Sequence, residues 1–442
     1  MRDFKAATVA VTRFGFGAAP GELNAIAGDP RGWLKQQLIA PDPVVNGTPS
    51  SVKLAAYFKA QQQKATDPAG TQAFMSQMRD GFKNDIVQRT IAAAASATPF
   101  RERLVQFWSN HFTVSIQRSF VIPVATGFEN EAIRPHTLGS FKDMLRAVAM
   151  HPAMLLYLDN AESVGPDSKA GLRRDKGLNE NLAREMLELH TLGVNGGYSQ
   201  TDVTEFANIL TGWSVAKLGE PNAGSFLYRT DCHEPGSKTL LGRVYPDAGM
   251  DEGLAALEDL AARPQTATHI ATKLACHFVA DQPPQSAIDK LAVTFTNTGG
   301  DLRAVALALV DLPQIWSQPL TKIKTPNDLV TSVYRTFGID DDSFEHAIGG
   351  LKMMGQTPFD ALSPAGWPDT AADWISSEAV MIRVQWALAA GQKLGGSADP
   401  RTAALGSIGP LASERTMAEI GNAPSPGQAL AFLIASPEFQ RR

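Results

Sequence analysis

Along most of the chain, apolar residues return every three or four positions in blocks punctuated by proline and glycine, which is the period of amphipathic helices. Gln72 to Thr90 has mixed helical character, and Ile91 to Ala97 is Ala-rich and helical. Thr98 and Pro99 then restart a helix with a capping residue and a proline at its first position. That helix carries Arg101 to Phe112 and ends in Phe107-Trp108-Ser109-Asn110-His111-Phe112. Ser140 to Ala149 forms another amphipathic helix, closed by His151 and Pro152. The clearest helix is Asn179 to Val194, with Asn179 as its cap, strong helix formers inside and Gly193 as its stop. Ser199 and Asp202 resemble a capping box opening a helix that runs to about Thr211.

Two stretches alternate with period two instead, Ser225 to Thr230 and Lys238 to Tyr245. Glu234-Pro235-Gly236-Ser237 between them has turn chemistry, which predicts a small β-hairpin. Loops are expected at Pro41 to Ser50, Gln282 to Gln285, Gly355 to Thr370 and Asn422 to Gly427. A polar loop from Asp159 to Gly177 holds Asp159, Asn160, Glu162, Asp167, Arg173, Arg174 and Asp175. The fold class is therefore mainly α: a single large multi-helix domain with a small β-hairpin insertion. Its approximate lobes are 1–90, the core helices 91–215, the hairpin 216–250 and the C-terminal helices 251–442.

With 442 residues, 44% hydrophobic and 19% charged, the chain can bury a core without a disulfide or metal staple, so a metal would serve chemistry rather than folding. The net charge of −5, with no basic stripe, argues against nucleic acid as a partner. Cys232 and Cys276 can pair with each other but build no disulfide framework and no zinc spacing. No apolar run approaches the ~20 residues that span a bilayer. The stretch before Arg13 is too short for an export signal, so the sequence as written reads as mature or cytoplasmic.

Three constellations can carry chemistry. On the Asn179 helix, Glu180, Asn181, Arg184, Glu185 and Glu188 fall within an arc of roughly 140°. They read either as an exposed face of i,i+4 ion pairs or as a polar site that binds a cation or clamps a substrate. His111 shares a side with Leu104, Phe107 and Trp108, so it is either a satisfied core histidine or a general base walled off from water. The third is Asp231-Cys232-His233-Glu234-Pro235-Gly236-Ser237-Lys238, a turn dense in functional groups. His269, Lys273 and His277, four residues apart on one helix, read as a surface or interface stripe. The glycines of Phe14-Gly15-Phe16-Gly17 follow no strand, and no dinucleotide or P-loop site is supported.

These segments together resemble a bacterial family catalogued as domain of unknown function 1800. The residues that carry the likeness include Arg13-Phe14-Gly15-Phe16-Gly17, Phe107 to Phe112, His151-Pro152-Ala153-Met154 and Tyr157-Leu158-Asp159-Asn160. They continue through Asn179 to Glu185, Glu188-Leu189, Thr191-Leu192-Gly193, Tyr198, Asp202-Val203, Leu210 to Trp213, His233, Lys238 and Leu240-Leu241-Gly242. The resemblance implies a helical bacterial protein, often exported and often encoded beside a second family that looks like the alkaline phosphatase and sulfatase fold. Such a neighbour suggests envelope or polysaccharide processing, or a helper role for a partner enzyme. In this chain His233 is followed by Glu234 where the family leads us to expect aspartate, a carboxylate one methylene longer.

The expectation is an acid/base or metal-assisted hydrolase or transferase acting on a polar substrate, a glycan or an anion. Its site would lie between the His111 and Asn179 helices, closed by the His233 hairpin. His111, Glu185, Glu188 and His233 would be catalytic, and His111, Glu185 and Glu188 would hold a divalent metal. Asn110, Trp108, Asp159, Glu180, Asn181, Arg184, Asp202, Trp213 and Lys238 would bind. In the rival reading the same residues form a buried network in a non-catalytic assembly partner.

Overall fold

Many helices start where a short polar side chain caps the first free N–H groups. Asp29, Asp67, Asp301, Thr325, Ser376 and Ser425 each accept one, and Pro30, Pro68, Pro326 and Pro426 follow at a position that needs no N–H. The computed structural model describes residues 2–40, 47–173, 177–340 and 346–442. Pro41 to Asn46 of the expected loop, and Arg174 and Asp175, lie outside them.

The fold is mainly helical, with two small two-stranded sheets set into it. A long helix, Pro68–Ala95, precedes Pro99–His111, and Phe141–Met150 and Pro152–Tyr157 follow. Ser199 and Asp202 form the capping box that opens Gln200–Leu210. Met250–Ala262 and Pro264–Phe278 lead into the last third, where Pro326–Phe337, Ser377–Leu394 and Pro426–Ala435 are the main helices. One hydrophobic cluster runs through all of these, from Ala7 to Phe439. No helix among the described residues is long and apolar enough to cross a membrane.

The Asn179 segment departs from a plain α-helix. Asn181–Glu185 is α-helical, but Met186–Thr191 is a π-helix. Asn179 Oδ1 still accepts the Asn181 N–H at 2.9 Å, so its capping role stands one position outside the expected one. The strands also pair differently from the expected hairpin. β1 (Trp213–Val215) takes β2 (Phe226–Tyr228), and β3 (Lys238–Leu240) takes β4 (Arg243–Tyr245), both antiparallel. The tight turn is Leu241-Gly242, both at positive φ (52° and 79°), the backbone that a two-residue hairpin demands. Glu234 to Ser237 instead links the two sheets.

The glycines near the N-terminus have a packing role. A side chain at Gly15 would meet the Val11 carbonyl at 2.8 Å, and Gly17 sits at φ 95°. Two buried arginines hold the resulting turn: Arg103 Nε donates to Gly15 O (2.8 Å) and Arg335 Nε to Gly17 O (3.0 Å). Arg335 also donates to Ala94 O, Ser96 O and the Glu22 carboxylate (2.7–2.9 Å), tying three segments to one guanidinium. Arg335→Ala leaves these acceptors unpaired in the core and should cost about 3–5 kcal/mol. Urea unfolding measures it, and a loss below about 1 kcal/mol would show the clamp to be dispensable.

Candidate functional site

A cavity of about 310 Å³ lies between the second half of the Pro99–His111 helix, the Pro264–Phe278 helix, the start of Pro326–Phe337 and residues 356–369. The size suits a small organic molecule. Asn110 is the fastener that brings the last segment in. Its Nδ2 donates to Trp367 O (2.9 Å) and its Oδ1 accepts the Trp367 N–H (2.8 Å). Gly366 packs so closely that a Cβ there would sit 2.5 Å from Asn110 O and 2.6 Å from Thr113 Oγ1. Phe107, Val114, Phe359 and Trp367 give the cavity apolar walls.

Behind the walls is a buried ion cluster. Asp328 meets Arg103 (3.3 Å) and Arg442 (2.9 Å), and Asp369 meets Arg442 and His277 Nδ1, each at 2.6 Å. Lys322 Nζ donates to Asp281 (2.6 Å) and to Asp369 O (2.6 Å). Burial works to raise both Asp328 and Asp369, but the surrounding cations win and hold both below the usual aspartate range. Burial pulls Lys324 down to about 7. These three carboxylates are thus matched by Arg103, Arg442 and Lys322. Lys324, buried over the Phe439 ring, and Lys273 are left without an ion pair among the described residues, and of the two it is Lys273, half-buried, that lines the cavity. Burial lowers its pKa, opposed by the Asp369 charge.

The imidazoles beside it are neutral. His111 Nε2 lies 3.1 Å from His190 O and His269 Nε2 2.9 Å from Leu189 O, so each must donate to a carbonyl near the end of the π-helix. Both nitrogens of His190 and Nδ1 of His111 have no hydrogen-bond partner among the described residues. Burial first, then the Lys273 charge, pushes His111 well below its ordinary value and His190 to about 3. His277 falls to about 4, burial and Arg442 outweighing the Asp369 carboxylate. Burial raises the Cys276 thiol.

The expected site is therefore divided. His111 and Asn110 border the cavity. Trp108 does not wall it but is 1% exposed in the core against Phe107, Phe112 and Phe141. Trp213 is likewise buried, packed on Gly253 and Phe226. The polar face of the Asn181 helix is half-exposed, and Glu180, Arg184 and Glu188 on it find local partners while Glu185 has none among the described residues. Glu180 takes Arg184, Gln200 and Thr204, Tyr198 donates to Glu188 (3.2 Å), and Asn181 is exposed. Burial raises Glu185, helped by Glu188 and opposed by Arg184. Asp159 pairs with Arg118, and Asp202 caps its helix and accepts the Leu241 N–H at 2.6 Å. His111, Glu185 and Glu188 do not converge as metal ligands. Among the described residues, the group of three donors whose atoms lie within 4.8 Å of one another is His233, Asp247 and Glu252. Lys238 is buried beside His233 and Glu252. Both cysteines are free.

Sequence reasoning missed Lys273 and His277, which it placed on a surface or interface stripe. Their four-residue spacing was visible, but the segment that covers them, Gln356 to Asp369, lies some eighty residues further on.

The chain belongs to the family described as protein of unknown function (DUF1800), which it matches over residues 9–441. No curated protein and no solved structure matches it.

The depressed histidines fix a pH dependence. Neutral in the fold and protonated when unfolded, they contribute stability that is complete above about pH 6.5 and lost as pH falls toward 4. The melting temperature should fall steadily between pH 7 and 4.5, and His190→Leu should flatten that slope. A wild-type melting temperature that stays level over this range would contradict the assignment.

Proposed function

We propose that the protein binds a small organic anion, a carboxylate or phosphate on an apolar body, in the cavity between the Pro99–His111 and Pro264–Phe278 helices. The observation that carries this is Lys273, a cation with no ion-pair partner among the described residues, facing a cavity whose other charges are already paired. A half-buried ammonium without a partner is costly, and an anionic ligand removes that cost. Phe107, Val114, Phe359 and Trp367 offer the apolar body its contacts.

Recognition fits this lining better than proton transfer. The His277–Asp369 pair has the form of an oriented base, with Nε2 unpartnered, which favours a second, acid/base reading. Yet a value of about 4 leaves the imidazole a weak base at neutral pH, and the raised Cys276 thiol is a poor nucleophile there.

Isothermal titration with benzoate, phenyl phosphate and neutral benzamide tests the proposal. One or both anions should bind while benzamide does not. Lys273→Met should weaken binding at least tenfold, since a hydrogen bond to a charged group is worth about 1.5–3 kcal/mol. Equal binding of benzamide, or an unchanged affinity in Lys273→Met, would overturn it.

A further inference from the structure

We propose that His233, Asp247 and Glu252 bind one first-row divalent cation, at a site separate from the cavity, none of them being among its lining residues. The three donors come from different elements. His233 follows the short turn Thr230–Cys232, Asp247 lies just after β4, and Glu252 sits in the first turn of Met250–Ala262. Folding of the two small sheets onto that helix is what brings them together.

The histidine is oriented as a ligand. Its Nδ1 lies 3.0 Å from Thr211 O, which can only accept, so Nδ1 carries the hydrogen. In the neutral ring Nε2 then presents a lone pair, 3.1 Å from Glu252 Oε2. With the ring neutral, that lone pair and the carboxylate oxygen need a positive charge beside both, whereas a doubly protonated ring would itself donate to Oε2. A carbonyl that fixes the far nitrogen is also the usual support for a metal-bound imidazole.

Lys238 supplies one such charge. Its Nζ lies 2.5 Å from Glu234 O, 3.1 Å from Glu252 Oε2 and 3.3 Å from His233 Nε2. One ammonium does not complete the cluster. The Glu252 side chain is fully buried and its Oε1 has no partner, and the exposed Asp247 brings a second carboxylate. Two carboxylates against one ammonium leave a net negative charge, which a divalent cation reverses. One imidazole and two carboxylates suit Mn²⁺, Fe²⁺ or Zn²⁺ better than Mg²⁺ or Ca²⁺. Asp247 opens the site to solvent, so positions on the ion would remain for water or a ligand.

Titration of the untagged, full-length protein with Mn²⁺, followed by electron paramagnetic resonance, and with Zn²⁺ by calorimetry tests this. One equivalent should bind. Asp247→Asn, an exposed change that leaves the core intact, should weaken binding at least tenfold, and Glu252→Gln should abolish it. Lys238→Met should retain binding and tighten it, because a competing charge is removed. Absence of stoichiometric binding in both the wild type and Lys238→Met would overturn the proposal and make Lys238 the cluster's sole cation. Unchanged binding in Asp247→Asn and Glu252→Gln would overturn it equally, by placing the ion elsewhere.

Discussion

A charge taken out of water must find its opposite, and that constraint shapes the centre of this protein. Asp328 is buried with Arg103 and Arg442, and the half-buried Asp369 joins them through Arg442. Removing any one of the four would strand another in a medium that punishes unpaired charge. Arg442 is the hinge of the arrangement. It is 1% exposed, reaches both aspartates and also donates to His277 O at 2.7 Å. One guanidinium thereby fixes the end of the Pro264–Phe278 helix, the start of Pro326–Phe337 and the segment through Asp369. Those are the walls of the cavity. The ion cluster leaves Lys273 as the cavity-lining cation without an ion pair, so the geometry of stability and the chemistry of the pocket have a common origin.

The histidines follow the same economy on a smaller scale. A π-helix from Met186 to Thr191 leaves carbonyls that the helix itself does not fill, and His111 and His269 donate to two of them. That duty fixes their tautomers, while burial, against the pull of those same hydrogen bonds, favours their neutral form. His111, the most conspicuous candidate base in the sequence, is better understood as a support for the neighbouring helix that borders the cavity.

Much of the fold was legible because its signals are local. Proline at the first helical position, the Ser199–Asp202 capping box and the period of three to four specify their elements without tertiary help. Register was less legible. Lys238 to Tyr245 alternated correctly, but the expected turn at Glu234–Ser237 yielded to Leu241-Gly242, where the backbone accepts positive φ. The site was read least well, for a physical reason. Helical spacing shows which residues share a face and is silent about what covers it. On the Glu180 to Glu188 face, Glu180, Arg184 and Glu188 take local partners and Glu185 does not, while the His269–Lys273–His277 face looked plain and lines or adjoins the cavity. Asn110, expected to bind, borders the cavity and holds residues 366 and 367 in place.

The most direct test is a crystal structure of the protein grown with saturating benzoate. A carboxylate within about 3 Å of Lys273 Nζ, its ring against Phe359 and Trp367, is the expected result. A cavity holding only water, with the Lys273 ammonium turned onto Asp369, would contradict the view that this lysine awaits an anionic ligand.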